Sequence, residues 1–325
     1  MKFHAKSIGW TVIALGMAAL SLPAKAEWPD KPIKMIVPYA AGSGVDVVTR
    51  PIAIAMGKAL GQSVMIDNKP SAGGIVGTQA LATSAPDGYT FGFGNLVTLA
   101  INKSFFTKLP YNPEKDLQPV GGTFSNPYVV IARNNFPANN FKELVEYVRK
   151  NPGKVSFGTP GVGSAAHLAG ETINARNGLQ LLHVPYKSGM QGVTDMVGGQ
   201  LDLTIDNIAG VLPFIKDGRV KAIAVTSLKR LSSLPDVVTM HESGMSNFEV
   251  VAWGGFVAPT GTPKAIIEKL NSALHTALKD PAVVKLGQDF NMEIKLSSAE
   301  EFGELARTET QRWAAAVKAA GVHGD

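Results

Sequence analysis

From residue 33 onward the chain repeats one unit: a short β-branched run, a glycine-rich turn, then an amphipathic helix. Ile33–Val37, Ser63–Asp67 and Tyr89–Gly94 read as strands, and helices are expected near Asp46–Leu60 and Ile75–Ser84. The same alternation returns with strands at Lys154–Gly158, Leu181–Val184, Leu201–Ile205 and Ala222–Val225. Helices between them are expected at Phe141–Lys150, Ala165–Arg176 and Gly189–Val197, with another closing at Pro213–Asp217. Strands alternating with helices predict an α/β fold, mostly parallel, with helices on both sheet faces. Pro51 falls inside the first helix, where it would shift the start or kink it. Two long apolar segments, Val120–Ala132 and Phe248–Ala258, read as crossings from one lobe to the other and back. The tail is helical: Ile266, Ile267, Leu270, Leu274 and Leu278 follow a 3.6 period, and Ser298 with Glu301 forms a capping signal. Two crossings make a clamshell, with residues 27–125 and 252–325 in lobe 1, residues 126–251 in lobe 2, and a ligand cleft between them.

Ahead of this pattern, Lys2 and Lys6 precede an apolar run from Ile8 to Leu22, and Pro23 and Ala24-Lys25-Ala26 follow it. This is the layout of a cleaved export signal, Met1–Ala26. The run falls short of the ~20 apolar residues of a spanning helix. The chain has no cysteine, which excludes disulfides, thiolate metal sites and a lipid-anchored cysteine. The formal charge of +5 is largely the signal's: without Lys2, Lys6 and Lys25, the 31 basic residues become 28 against 26 acidic ones. With no basic cluster, nucleic acid is not expected as a partner.

Two loops stand out, Pro38-Tyr39-Ala40-Ala41-Gly42-Ser43-Gly44-Val45-Asp46 and Gly158-Thr159-Pro160-Gly161-Val162-Gly163-Ser164-Ala165-Ala166-His167. Each joins a strand to a helix start, where backbone amides are unpaired and partly positive and glycine admits a ligand to the backbone. One loop from each lobe would pinch an anion such as a carboxylate. Ser43, Thr159 and Ser164 with nearby amides are the expected donors, and Asn95 and Thr98 the expected wall of the first lobe. Asp46 is expected to cap its helix and brace the first loop. Asp206 has two readings: a helix N-cap, or a group that orients waters or ligand. His167 is either a ligand contact and loop orienter or a satisfied structural histidine.

Other chemistries fit poorly. Gly42-Ser43-Gly44 lacks the third glycine of a dinucleotide fingerprint, and Leu181-Leu182-His183-Val184 after the second loop offers no acid for a ribose. No G-x-S-x-G elbow supports a hydrolase. His167, His183, His241, His275 and His323 show no ligand spacing for a metal. The expectation is a binding protein without cofactor, not an enzyme; a periplasmic enzyme acting on carboxylates is the alternative.

The sequence strongly resembles the substrate-binding proteins of tripartite tricarboxylate transporters, the Bug or TctC-like receptors. The resemblance rests on Trp28-Pro29-Asp30-Lys31-Pro32-Ile33, Val37-Pro38-Tyr39 through Asp46 and Arg50, Gly61-Gln62-Ser63-Val64, and Asn68-Lys69-Pro70-Ser71-Ala72-Gly73-Gly74. It continues through Pro86-Asp87-Gly88-Tyr89-Thr90, Gly161-Val162-Gly163-Ser164 with His167, Val184-Pro185-Tyr186-Lys187, Asp206-Asn207 and Ala258-Pro259-Thr260-Gly261-Thr262-Pro263. It implies a two-lobed periplasmic binding fold, a monomer, closing on a small carboxylate held by the loops Pro38–Asp46 and Thr159–His167, partly through ordered waters. It also implies transient docking on membrane transporter subunits; a sensory partner protein would use the same cleft. In place of the family's usual Gly-Gly pair the first loop has Gly42-Ser43, a change expected to bear on which acid is accepted.

Overall fold

The computed structural model describes residues 27–324, so the expected signal Met1–Ala26 lies outside the described residues. The chain runs β1 (Ile33–Val37), α1 (Gly44–Leu60), β2 (Val64–Asn68), α2 (Ile75–Ala82) and β3 (Thr90–Asn95). A π-type turn, Val97–Ile101, leads into α3 (Asn102–Phe105) and β4 (Leu117–Arg133). Then come α4 (Phe141–Lys150), β5 (Ser156–Thr159), α5 (Ala165–Asn177), β6 (Leu182–Pro185), α6 (Gly189–Val197), β7 (Leu203–Asn207), α7 (Ile208–Lys216) and β8 (Val220–Val225). The chain closes with β9 (Val251–Pro259), α8 (Lys264–Ala277), α9 (Pro281–Asp289), β10 (Glu293–Ile294) and α10 (Ala299–Ala320).

One curled sheet runs β2-β1-β3-β9-β4-β7-β5-β6, with β8 and β10 also paired to β4. Its two ends are parallel, β1 with β2 and β3, and β5 with β6 and β7. The middle is antiparallel because β4 and β9 run past each other as the chain leaves one lobe and returns. β4 pairs with β9 from Leu117 to Pro127, then with β7 and β8 from Tyr128 to Arg133. A single 17-residue strand thus serves both lobes.

α1 begins at Gly44 although Pro51 lies inside it. Ser43 sets that start by capping, so the proline does not move it. Three elements were not anticipated from sequence: α9, the short strand β10 and the helical segment 97–105. α9 carries a readable signal, Asp280 as N-cap with Pro281 in the first turn. Among the described residues no helix is long and apolar enough to cross a membrane.

The last helix, α10, ties the lobes together. It packs on β4, the π-type turn and α3 in one lobe and on α5 in the other. Leu99, Phe105, Leu168, Ile173, Trp313 and Val317 share one buried cluster, and each such side chain contributes about 1.5–3 kcal/mol. Glu309, buried on this helix, accepts from Trp313 Nε1 at 3.0 Å, Trp253 Nε1 at 3.3 Å and Arg312 at 2.6 Å.

Candidate functional site

In open α/β sheets ligands meet the carboxyl ends of the strands. Here β1 and β5 end in the two loops singled out from sequence, β3 ends at Asn95, and β7 ends at Asp206 and Asn207.

The loops are built alike. Gly42 and Gly163 both have φ +78°. Ser43 (φ −66°, ψ 160°) and Ser164 (φ −66°, ψ 154°) are the N-caps of α1 and α5. Ser43 Oγ accepts from the Asp46 amide at 3.3 Å, and Ser164 Oγ from the His167 amide at 3.2 Å. The capped residue reaches back each time: Gly42 donates to Asp46 Oδ2 at 2.8 Å, and Gly163 to His167 Nδ1 at 3.2 Å. The glycine amides are therefore spent inside the loops. The amides of Gly44 and Val45, and of Ala165 and Ala166, are first-turn donors with no intrahelical acceptor. They point with the helix dipole and are the groups able to hold an anion.

The candidate hydroxyls differ in what they have left. Among the described residues Ser43 Oγ only accepts, which leaves its hydrogen available to a ligand. Ser164 Oγ donates to the Gly161 carbonyl at 2.8 Å and must give up that bond to serve a ligand. Thr159 Oγ1 lies 2.6 Å from His183 Nε2 and 3.3 Å from both the amide and the carbonyl of Gly161. Gly161 turns the loop at φ +116°, and Val162 beside it is exposed. Ala41 precedes Gly42 on the exposed edge of the first loop.

Asp46 braces the first loop, but the expectation that it caps the helix is corrected: Ser43 is the N-cap of α1, and Asp46 lies three residues inside it. Its side chain is buried and accepts from Arg50 at 2.7 Å, Gly42 at 2.8 Å and Asn68 at 2.9 Å. Asn68 also donates to the Tyr39 carbonyl at 3.0 Å, tying the end of β2 to the loop. Burial pushes the Asp46 carboxyl up, but Arg50, the Gly42 amide and Asn68 outweigh it and hold the group below the ordinary range.

Tyr39, Asn95 and Thr98 form one network. Asn95 Nδ2 donates to Tyr39 Oη at 2.9 Å, and Asn95 Oδ1 takes the amides of Val97 and Thr98, each at 3.1 Å. Burial pushes the Tyr39 phenol up to about 12, with Asn95 pulling the other way. Sequence reasoning missed Tyr128, whose phenol is raised by burial, by the Asp206 charge and by Tyr39. The residue shows in sequence only as a polar-tipped aromatic inside an apolar crossing. Through it Tyr39 of one lobe and Asp206 of the other come within electrostatic reach of a single side chain. The N-cap reading of Asp206 is corrected: Asn207 is the N-cap of α7, which starts at once at Ile208, and Asp206 is the preceding strand residue.

His183 was also missed. Its ring stacks on His167, with centroids 4.0 Å apart and planes at 23°. His167 must be unprotonated at Nδ1 to accept from Gly163, and its Nε2 lies 3.9 Å from Glu171. Burial lowers both histidines; His183, also repelled by His167, is lowered to about 4. Folding thus favours the neutral rings. Below the ordinary histidine value of about 6.5 the unfolded chain binds protons that the folded chain refuses. Stability contributed by His183 is therefore full above that value and lost as pH falls toward about 4. Urea midpoints should drop between pH 7.5 and 5, and His183→Gln should flatten that drop. An unchanged slope in the variant would remove His183 as its source.

A cavity of about 1120 Å³ lies elsewhere, between β4, β9, the 227–233 loop and residues 287–312. No residue of the two anion loops lines it. Its charged groups are largely paired, Lys295 with Glu293 and Arg312 with Glu309, so it offers an anion little.

The comparisons with known proteins place the chain in one family. The family described as "Tripartite tricarboxylate transporter family receptor" matches residues 48–322. Protein BugT of Bordetella pertussis is 33% identical over 311 residues, covering 95% of this chain and 95% of BugT. The solved periplasmic binding protein BugD is 38% identical with a TM-score of 0.78, covering 92% of this chain and 100% of BugD. MatC from Rhodopseudomonas palustris, solved with malate bound, is 32% identical with a TM-score of 0.77, covering 89% of this chain and 99% of MatC. The chain belongs to the tripartite tricarboxylate transporter receptors, the TctC and Bug family of periplasmic solute-binding proteins.

Proposed function

We propose that this protein captures a small organic acid between its lobes and delivers it to the membrane subunits of a tripartite tricarboxylate-type transporter. The observation that carries the reading is the matched pair of caps. Each commits its glycine amide internally and leaves the first amides of α1 or α5 open, so each lobe offers two donors to one carboxylate. A hydrogen bond to a charged group is worth about 1.5–3 kcal/mol. Four of them cover the ~8 kcal/mol of a micromolar complex. Malate in MatC supports a carboxylate ligand, and the family match supports delivery to a transporter. We place the lobe boundaries at 125/126 and 251/252, close to where β4 exchanges β9 for β7 and β8.

A thermal-shift screen of organic acids on the mature protein tests this. A ligand present at a hundredfold excess over its dissociation constant stabilises by about 2.7 kcal/mol, so one acid should raise the melting temperature by several degrees. If a sugar or an amine shifts melting and no acid does, the carboxylate reading fails. Chemical turnover of the bound acid would instead make the protein an enzyme.

A further inference from the structure

Two acidic side chains stand at the cleft in opposite surroundings. Asp46 accepts from a guanidinium, an amide side chain and a backbone amide. Asp206 has one hydrogen bond among the described residues, from the Asn207 amide to Oδ1 at 2.7 Å, and no ion pair. Its carboxylate is held over Gly189, where a Cβ would lie 1.7 Å from Oδ2. Position 189 thus has to lack a side chain for the carboxylate to sit there. The acceptors around it are also unmet: Asn207 Oδ1 and Thr204 Oγ1 are buried without a partner. Burial pushes Asp206 up to about 6. Asp206 is only partly buried, and its Oδ2 has no protein donor among the described residues, so the carboxylate has acceptor capacity open to a donor on a ligand.

Asp206 is next to the anion loop of its own lobe. β5 and β7 are parallel neighbours with Gly158 level with Thr204, so Asp206 stands beside the segment that starts at Thr159. The spacing is one strand, about 4.8 Å. A carboxylate on the loop and a donor one or two carbons away span that gap. We infer that the ligand is an organic acid carrying a hydroxyl or ammonium group one or two carbons from the gripped carboxylate, and that Asp206 accepts from this group and selects for it. This inference rests on the carboxylate reading above and deepens it.

Calorimetry on matched acids tests it: malate and aspartate against succinate, and mandelate against phenylacetate. The expected result is a donor-bearing acid that binds at least about tenfold tighter than its donor-free partner, since a bond to a charged acceptor is worth about a decade or more. Malate against aspartate tells hydroxyl from ammonium. Asp206→Ala should erase the preference while leaving the affinity for the donor-free acid within about threefold, well inside one decade. Gly189→Ala, which displaces the carboxylate without changing it, should also erase it and serves if the first variant misfolds. Equal affinity for both members of every bound pair overturns the inference and leaves the carboxylate reading standing; so does a preference that survives both substitutions. No binding by any acid overturns the carboxylate reading and the inference with it.

Discussion

Asp46→Ala should lower unfolding stability by about 3 kcal/mol and abolish acid binding. The carboxylate fixes three partners around the first loop, Arg50, Gly42 and Asn68. Removing it strands the Gly42 amide and half of the Asn68 side chain. Arg50 is half exposed and its freed guanidinium returns to water, so the ion pair adds little. The loss comes mainly from the unmet polar groups and from a loop that no longer holds Gly42 at positive φ. Asp46→Asn keeps an acceptor for Gly42 and should cost less. The pH dependence has a definite sign. A carboxyl held below its ordinary range stabilises the fold above the unfolded value of about 3.9. That contribution is lost as pH falls through the lower folded value. Urea titrations of both variants at pH 7 and pH 3.5 check this, and a loss below about 1 kcal/mol for Asp46→Ala would deny the bracing role.

Gly163→Ala should cost roughly 2–5 kcal/mol and weaken acid binding at least about tenfold, whereas Gly42→Ala should cost only about 1–2 kcal/mol. The two glycines share φ +78°. What differs is the space. A Cβ at Gly163 would lie 2.5 Å from the Phe105 ring, which is buried on α3 of the opposite lobe; a Cβ at Gly42 meets nothing within 4 Å. Left-handed backbone costs an alanine about 1–2 kcal/mol, and forcing atoms into a packed site adds about 1–3. Gly163 thus does two things: it presents its amide to His167 and lets the second loop close on the first lobe. Equal losses at the two positions, read by chemical denaturation, would show that the Phe105 contact has no weight.

The alternation of short β-branched runs with glycine turns and amphipathic helices was enough to read both lobes, the crossings and nearly every helix. It was enough because each element buries one face, and burial writes period 2 or 3.6 into the sequence. Signals that live in three dimensions were not legible. The π-type turn at Val97–Ile101 is buried almost throughout, so no amphipathic stripe marks it. Tyr128 comes near Asp206 and Tyr39 only because β4 changes partners there, and His183 meets His167 only because β6 brings it there. The two loops were legible as glycine–serine turns before helices. Which amides they spend and which they leave was not, because that depends on Asp46 and His167 turning back to the preceding glycine. Asp206 read as a possible cap because an acidic residue before a helix often is one. Its strand position and its missing partners give it another character.

The most direct test of the account is a crystal structure of the mature protein with the acid that raises its melting temperature most. One acid should lie between the lobes. Its carboxylate oxygens should lie about 2.7–3.2 Å from the amides of Gly44 or Val45 on one side and Ala165 or Ala166 on the other, directly or through one ordered water. A carboxylate held by one loop alone, or bound in the large cavity behind β4 and β9, would contradict it.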